Sequence, residues 1–165
     1  GAKCVGSLGT VVAFDPIESN TETITKHLVL NKIKNTRLET MAVSNRQGEE
    51  RFVVEDNNAN SHLGDVEIQH AQSSPKKSFF IPTVRLDEYC HLNSLAPSVI
   101  KIDVEGAELL VLEGCQTLLE SKVGCWIIST HSEQLMSGCR RVMENAGYKV
   151  DLLEGFHHEL LCFPE

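Results

Sequence analysis

The stretch Val99-Ile100-Lys101-Ile102-Asp103-Val104-Glu105-Gly106-Ala107-Glu108 decides how this chain is read. It is a short β-branched run that ends in carboxylates and a glycine, and a helical apolar pattern, Leu109, Leu110, Leu112, Leu118 and Leu119, follows directly. Strand, acidic turn and helix in that order is the layout by which open α/β sheets set ligand-binding groups at the carboxyl ends of their strands. Asp103 and Glu105 would stand at such an end. They flank Val104, so in an extended strand both carboxylates would face the same way. Two carboxylates close together push one pKa up, which suits a general base near neutral pH. The competing reading is a plain helix N-terminus, where negative charge is favourable by about 0.3–1 kcal/mol. Glu108 is read as such a helix-end carboxylate.

Working outward, Thr10 to Phe14 reads as a buried strand ended by Asp15-Pro16, because proline cannot continue a central ladder. Ser19-x-x-Glu22 has capping-box spacing and predicts a helix start, with Ile24, Leu28 and Leu30 as its apolar positions and Asn31 to Asn35 as its close. Arg37 to Val43 and Glu49 to Val54 read as strands joined by a hairpin-like turn, Ser44 to Gly48. The span from Asp56 to Ser78 is polar and without periodicity, a loop of the length that is either functional or disordered. Phe79 to Val84 is extended and Leu86 to Leu92 a short helix. Cys125 to Ile128 is a very apolar strand that runs into Ser129-Thr130-His131. Glu133 to Ala146 is a helix closed by Gly147, and Tyr148 to Leu153 and Glu159 to Phe163 are two final strands. That order implies an α/β domain whose sheet is mostly parallel, with an antiparallel hairpin at its C-terminal end.

The 165 residues suit a single domain, able to bury roughly 70% of its unfolded-chain surface. Hydrophobic content of 41% with 23% charged residues is ordinary for a soluble protein. A net charge of −8, with basic pairs only at Lys76-Lys77 and Arg140-Arg141, argues against nucleic acid as a partner. No apolar run approaches membrane-spanning length and the N-terminus lacks a signal-peptide pattern, so no membrane partner is expected. Six cysteines without a C-x-x-C pair, in a chain large enough to need no staples, read as free thiols in a reducing, cytoplasmic setting.

Val12-Ala13-Phe14-Asp15-Pro16, Asn31 to Asn35, Ala42-Val43-Ser44, Pro82 to Asp87 and Lys101 to Glu108 stand in order and at similar spacings to the FkbM family of S-adenosylmethionine-dependent methyltransferases, which the chain resembles from about Thr10 to its C-terminus. The resemblance implies a three-layer αβα Rossmann-like methyltransferase sheet, S-adenosyl-L-methionine as cofactor, and O-methylation of a small-molecule or sugar hydroxyl. The family's first strand carries a D-x-G-A-N-x-G type loop that wraps the methionine part of the cofactor. Gly1 to Gly9 reads instead as the tail of the helix after that strand, and Gly6 and Gly9 make no G-x-G-x-x-G element. The expectation is therefore one methyltransferase-like domain over residues 1–165, N-terminally truncated, with its first strand missing from between the Thr10 and Val99 strands.

Asp15, where the family usually has glutamate, is the candidate for the cofactor ribose, against an ordinary Asp-Pro turn. Ala42, Val43 and Ser44 would border the adenine, against a simple strand end; Asn45, where the family often has aspartate, offers an amide acceptor. Asp103 is both a cofactor and a catalytic candidate, with Glu105 and His131 at the reacting end. Ser129 stands where relatives often place an acid two positions before the histidine, so a His–carboxylate pair is not assured, and His131 read locally is a residue before a helix cap. Ser61 and His62 are candidate substrate contacts. His157-His158-Glu159 fits no metal-ligand spacing, and no metal is expected. Two other classes stay open: a non-catalytic interaction module built on a methyltransferase-like frame, and a different nucleotide-dependent enzyme such as a dehydrogenase, for which a glycine fingerprint should precede Asp15.

Overall fold

The computed structural model describes residues 1–54, 62–63, 77–153 and 158–165. Its elements run β1 (Val11–Phe14), α1 (Glu18–Leu30), β2 (Thr36–Glu39), β3 (Ala42–Val43), β4 (Gly48–Val54), β5 (His62–Leu63), β6 (Lys77–Val84), α2 (Leu86–Leu92) and β7 (Val99–Ile102). They continue with α3 (Glu108–Glu113), α4 (Gln116–Glu120), β8 (Cys125–Ser129), α5 (Glu133–Asn145), β9 (Tyr148–Leu152) and β10 (Glu159–Pro164). The fold is the α/β, Rossmann-like methyltransferase type that the sequence implies.

The strands form three sheets, β1-β2, β7-β8-β10-β9 and β3-β6-β4-β5. β7 runs parallel to β8 from Val99↔Cys125 to Ile102↔Ile128, and β10 inserts antiparallel between β8 and β9. The C-terminal hairpin is thus as expected. Among the described residues β1 pairs only with β2 and β7 only with β8. Trp126, Ile128, Leu160 and Cys162 on this sheet meet Leu112, Cys115, Cys139 and Met143 from the helices, all essentially inaccessible to solvent. All six cysteines are free.

Four local expectations are revised. The stretch from Arg37 to Val43 is not one strand: β2 belongs with β1, whereas β3 pairs parallel to β6. The segment Ser44 to Gly48 is not a hairpin turn, because β6 lies between β3 and β4. Helix α1 starts one residue before Ser19, and its cap is not the Ser19–Glu22 box. Ile17, the capping residue, has no acceptor of its own, so the Asp15 carboxylate takes the Ile17 N–H at 2.9 Å. Leu30 is 78% exposed, outside the packed face of α1. Lastly, the helix after β7 breaks into α3 and α4 at Gly114. A Cβ at Gly114 would lie 2.3 Å from the Ser44 carbonyl oxygen, so the end of β3 and this break approach as only glycine allows. Asp87 then starts α4, accepting the N–H groups of Thr117 at 2.8 Å and Leu118 at 3.0 Å.

Candidate active site

Parallel pairing of β7 and β8 brings the residues after both strands to one sheet edge. After β8, Thr130 is anchored twice to the His158 carbonyl, by its N–H at 2.9 Å and its hydroxyl at 3.0 Å. Ser132 follows as the cap of α5, accepting the Leu135 N–H at 3.1 Å. His131 sits between these two anchors, and the helix cap makes no use of its ring. After β7 the chain leaves the strand at Asp103. Glu105 adopts φ +48° and Gly106 φ +99°, a left-handed turn that reverses the chain into α3. Asp103 and Glu105 therefore face one site through this turn, not through strand alternation.

The imidazole of His131 is the hub. Its Nδ1 lies 2.7 Å from Glu108 Oε1, and its Nε2 lies 3.3 Å from Glu105 Oε2 and 3.7 Å from Asp103 Oδ1. Glu108 is wholly buried, whereas Asp103 is exposed and Glu105 and His131 are about a third exposed. The hydrogen bond to Glu108, followed by the charges of the three carboxylates, raises the His131 pKa above its usual 6.5 against the opposing effect of burial. Burial is the main cause that raises the Glu105 carboxyl pKa, with Asp103 adding to it and His131 acting against it. The direction expected from two neighbouring carboxylates is present, but repulsion is the lesser cause. Beside the hub, Lys101 Nζ lies 3.6 Å from Asp103 Oδ2 and 3.2 Å from Glu159 Oε1. Ser129 donates to the same Glu159 oxygen at 2.7 Å, and these two donors hold the Glu159 carboxyl below its usual range.

Asp103, Glu105 and His131, the candidates for the reacting end, thus lie together. One oxygen or nitrogen from each lies within 4.8 Å of the others, close enough to share a cation, although the positive charge of a protonated ring meets the same need. Glu108, read as a helix-end carboxylate, proves to be the histidine's partner. The signal was present: Glu108, Val111 and Leu112 stand at i, i+3 and i+4, which puts the glutamate on the buried stripe of α3. The acid sought two residues before the histidine comes from α3 instead.

The other described candidates lie at the ends of β1 and β3 and on β5. Asp15 ends β1 with Oδ1 accepting from Ile17 N–H and Asn20 Nδ2, and Oδ2 from Asn20 at 3.1 Å. A carboxylate has about four acceptor sites, so Oδ2 retains one. Ala42 and Val43 are half-buried at the end of β3. Ser44 is fully buried, its hydroxyl donating to Glu50 Oε1 at 2.9 Å, and Asn45 Nδ2 donates to Glu113 at 2.8 Å. His62 lies on β5 opposite Val53, while Ser61 and His157 fall outside the described residues. Among the described residues no helix is long and apolar enough to cross a membrane.

The family model described as the methyltransferase FkbM domain matches residues 2–150. The chain belongs to this family. Comparison with curated proteins finds no match. Among solved structures, the chain is similar to a methyltransferase FkbM from Methylobacillus flagellatus KT, with a TM-score of 0.62 and 16% sequence identity. That likeness covers 93% of this chain and 36% of the other, so the chain spans about a third of the length of that FkbM protein. In this FkbM domain the hub of His131 and its three carboxylates therefore sits at the carboxyl edge of a methyltransferase-type sheet.

Proposed function

We propose that the domain takes part in S-adenosylmethionine-dependent O-methylation of a hydroxyl on a small molecule or sugar. The observation that carries this reading is the Nε2 of His131, a side chain about a third exposed, directed at Glu105 and Asp103 where the chain leaves β7 in a member of the FkbM family. The residues present fit the cofactor in part. Asp15 keeps an acceptor site for a ribose hydroxyl, and Ala42 and Val43 supply small apolar walls for adenine. The buried hydroxyl of Ser44 is committed to Glu50, so its part is to brace the strand end. Bound S-adenosylmethionine supplies an electrophilic methyl group. The protein must then align the acceptor oxygen and remove its proton. His131 takes that proton at Nε2, and the Asp103 and Glu105 carboxylates stabilise the imidazolium that results. His62, with Ser61, would border the acceptor.

The test is calorimetric titration with S-adenosylhomocysteine, in the context of the complete reading frame, followed by methyl transfer to a panel of hydroxyl compounds. Binding that Asp15→Ala weakens about tenfold, the worth of one hydrogen bond to a charged group, supports the reading; absence of heat overturns it. The alternative, a non-catalytic interaction module, draws support from the internal satisfaction of Asp15 and Ser44, and it requires that absence of heat.

A further inference from the structure

We propose that Glu108 is a positioning residue: its buried carboxylate holds His131 through Nδ1, so that the ring is fixed in one orientation and the neutral imidazole keeps its lone pair on Nε2, facing the open side of the hub. The inference rests on the methyl-transfer reading for its purpose but not for its geometry. Glu108 Oε1 is held from two directions, by the ring nitrogen at 2.7 Å and by the Gly106 N–H at 3.0 Å. The amide belongs to the left-handed turn of Glu105 and Gly106, so the same turn presents Glu105 to Nε2 and clamps Glu108 behind Nδ1. The 2.7 Å contact between Nδ1 and Oε1 places one proton between the ring and the carboxylate, with the ring nitrogen as donor. Both ring nitrogens face carboxylates, but the Nδ1–Glu108 contact at 2.7 Å is the shorter, against 3.3 Å and 3.7 Å at Nε2, so the neutral ring keeps its proton on Nδ1.

Burial also distinguishes Glu108 from the other acids. Asp103 and Glu105 reach water and can turn away, whereas Glu108 has no exposed surface, and its Oε2 has no hydrogen-bond partner among the described residues. A wholly buried carboxylate with one oxygen unpaired is a costly group to keep where a glutamine or leucine would fill the space. Its return is a ring held in place. The groups that face the histidine are Glu108 from α3 and Asp103 and Glu105 from the turn before it. Lys101 of β7 stands behind Asp103, and Cys139 of α5 lies beside Glu108.

The experiment is ¹⁵N and ¹H NMR of the histidine rings in the whole protein, with the His131 signals assigned by their loss in His131→Gln. The expected result above the imidazole pKa is a proton on Nδ1, bare Nε2, and a downfield Nδ1 proton that exchanges slowly. In Glu108→Gln the charge is gone but the shape is kept. The pKa of His131 should fall toward its ordinary value, and the Nε2–H tautomer should become populated. Glu108→Asp keeps the charge and should retain a raised pKa. A neutral wild-type ring protonated on Nε2, or a Glu108→Gln protein whose tautomer and pKa are unchanged, would overturn the proposal. The wild-type measurement decides even if no variant folds. Because no cofactor is added, failure of the methyl-transfer reading leaves this result standing and separately legible.

Discussion

Gly114→Ala sets two physical rules against each other, and the structure says which wins. The backbone at Gly114 has φ −80°, which alanine adopts freely. Chain entropy alone therefore makes the substitution stabilising by about 0.4–1 kcal/mol. Yet the added Cβ would lie 2.3 Å from the Ser44 carbonyl oxygen, 3.2 Å from its carbon and 3.3 Å from Asn45 Cα. Favourable non-bonded contact begins near roughly 3.5 Å, so two backbones must part by on the order of 1 Å. Neither moves easily, since the Gly114 carbonyl accepts the Asp87 N–H at 3.2 Å and Ser44 N–H donates to Val84. Overpacking of this kind costs about 1–3 kcal/mol, which less the entropic gain leaves a net loss of about 1.3 kcal/mol at mid-range and at most about 2.6, a mid-range fall in Tm of roughly 3–5 °C for a domain of this size. Gly138→Ala in α5 is the control. Its Cβ would meet only the Leu109 side-chain tip at 3.1 Å, which can turn aside, so a helix-interior gain of up to about 1 kcal/mol is expected. Urea titration followed by fluorescence of the single, fully buried Trp126 measures both. A Gly114→Ala midpoint equal to or above that of the wild type would refute the reasoning.

Asp87→Ala removes the carboxylate that begins α4 and should cost about 1 kcal/mol in urea titration, as the loss of a helix cap does; an unchanged midpoint would show that water serves as well. His131 has a raised pKa in the folded protein, so its pairing stabilises fully below the ordinary value near 6.5 and is lost as pH climbs through the raised one. The stability advantage of wild type over His131→Gln should therefore shrink as pH rises above about 6.5, and an advantage that grows with pH contradicts the Glu108 pairing. Thiol labelling of the native protein at pH 8 should modify Cys4 quickly and Cys125 slowly. Burial protects Cys90, Cys115, Cys139 and Cys162 and pushes the last two thiols up to about 12, so rapid labelling of any of these four would show that the core is open.

Pattern along the chain was enough for the frame. β-branched runs at Val11–Phe14, Val99–Ile102 and Cys125–Ser129 announced parallel strands, and the order of elements announced the α/β class and its closing hairpin. The family was legible too, because its motifs are contiguous and keep their order. What the sequence could not express was partnership across the chain. Arg37 to Val43 reads as one strand, but whether β2 and β3 share a sheet depends on where β6 lies, far along the chain. Asp15 reads equally well as a ligand group or an ordinary Asp-Pro turn, and its bond to the Ile17 N–H depends on the path of the next two residues. The hub shows the division most clearly. Asp103, Glu105 and His131 could be named from their place after strands, because strand ends are a local property. Glu108 could not be paired with His131 by any spacing rule, since 23 residues separate them and the pairing of β7 with β8 and the packing of α3 against α5 bring their side chains together. Local propensity and periodicity are written residue by residue; the tertiary structure alone decides which buried groups meet, because burial leaves each polar group only the partners that packing provides.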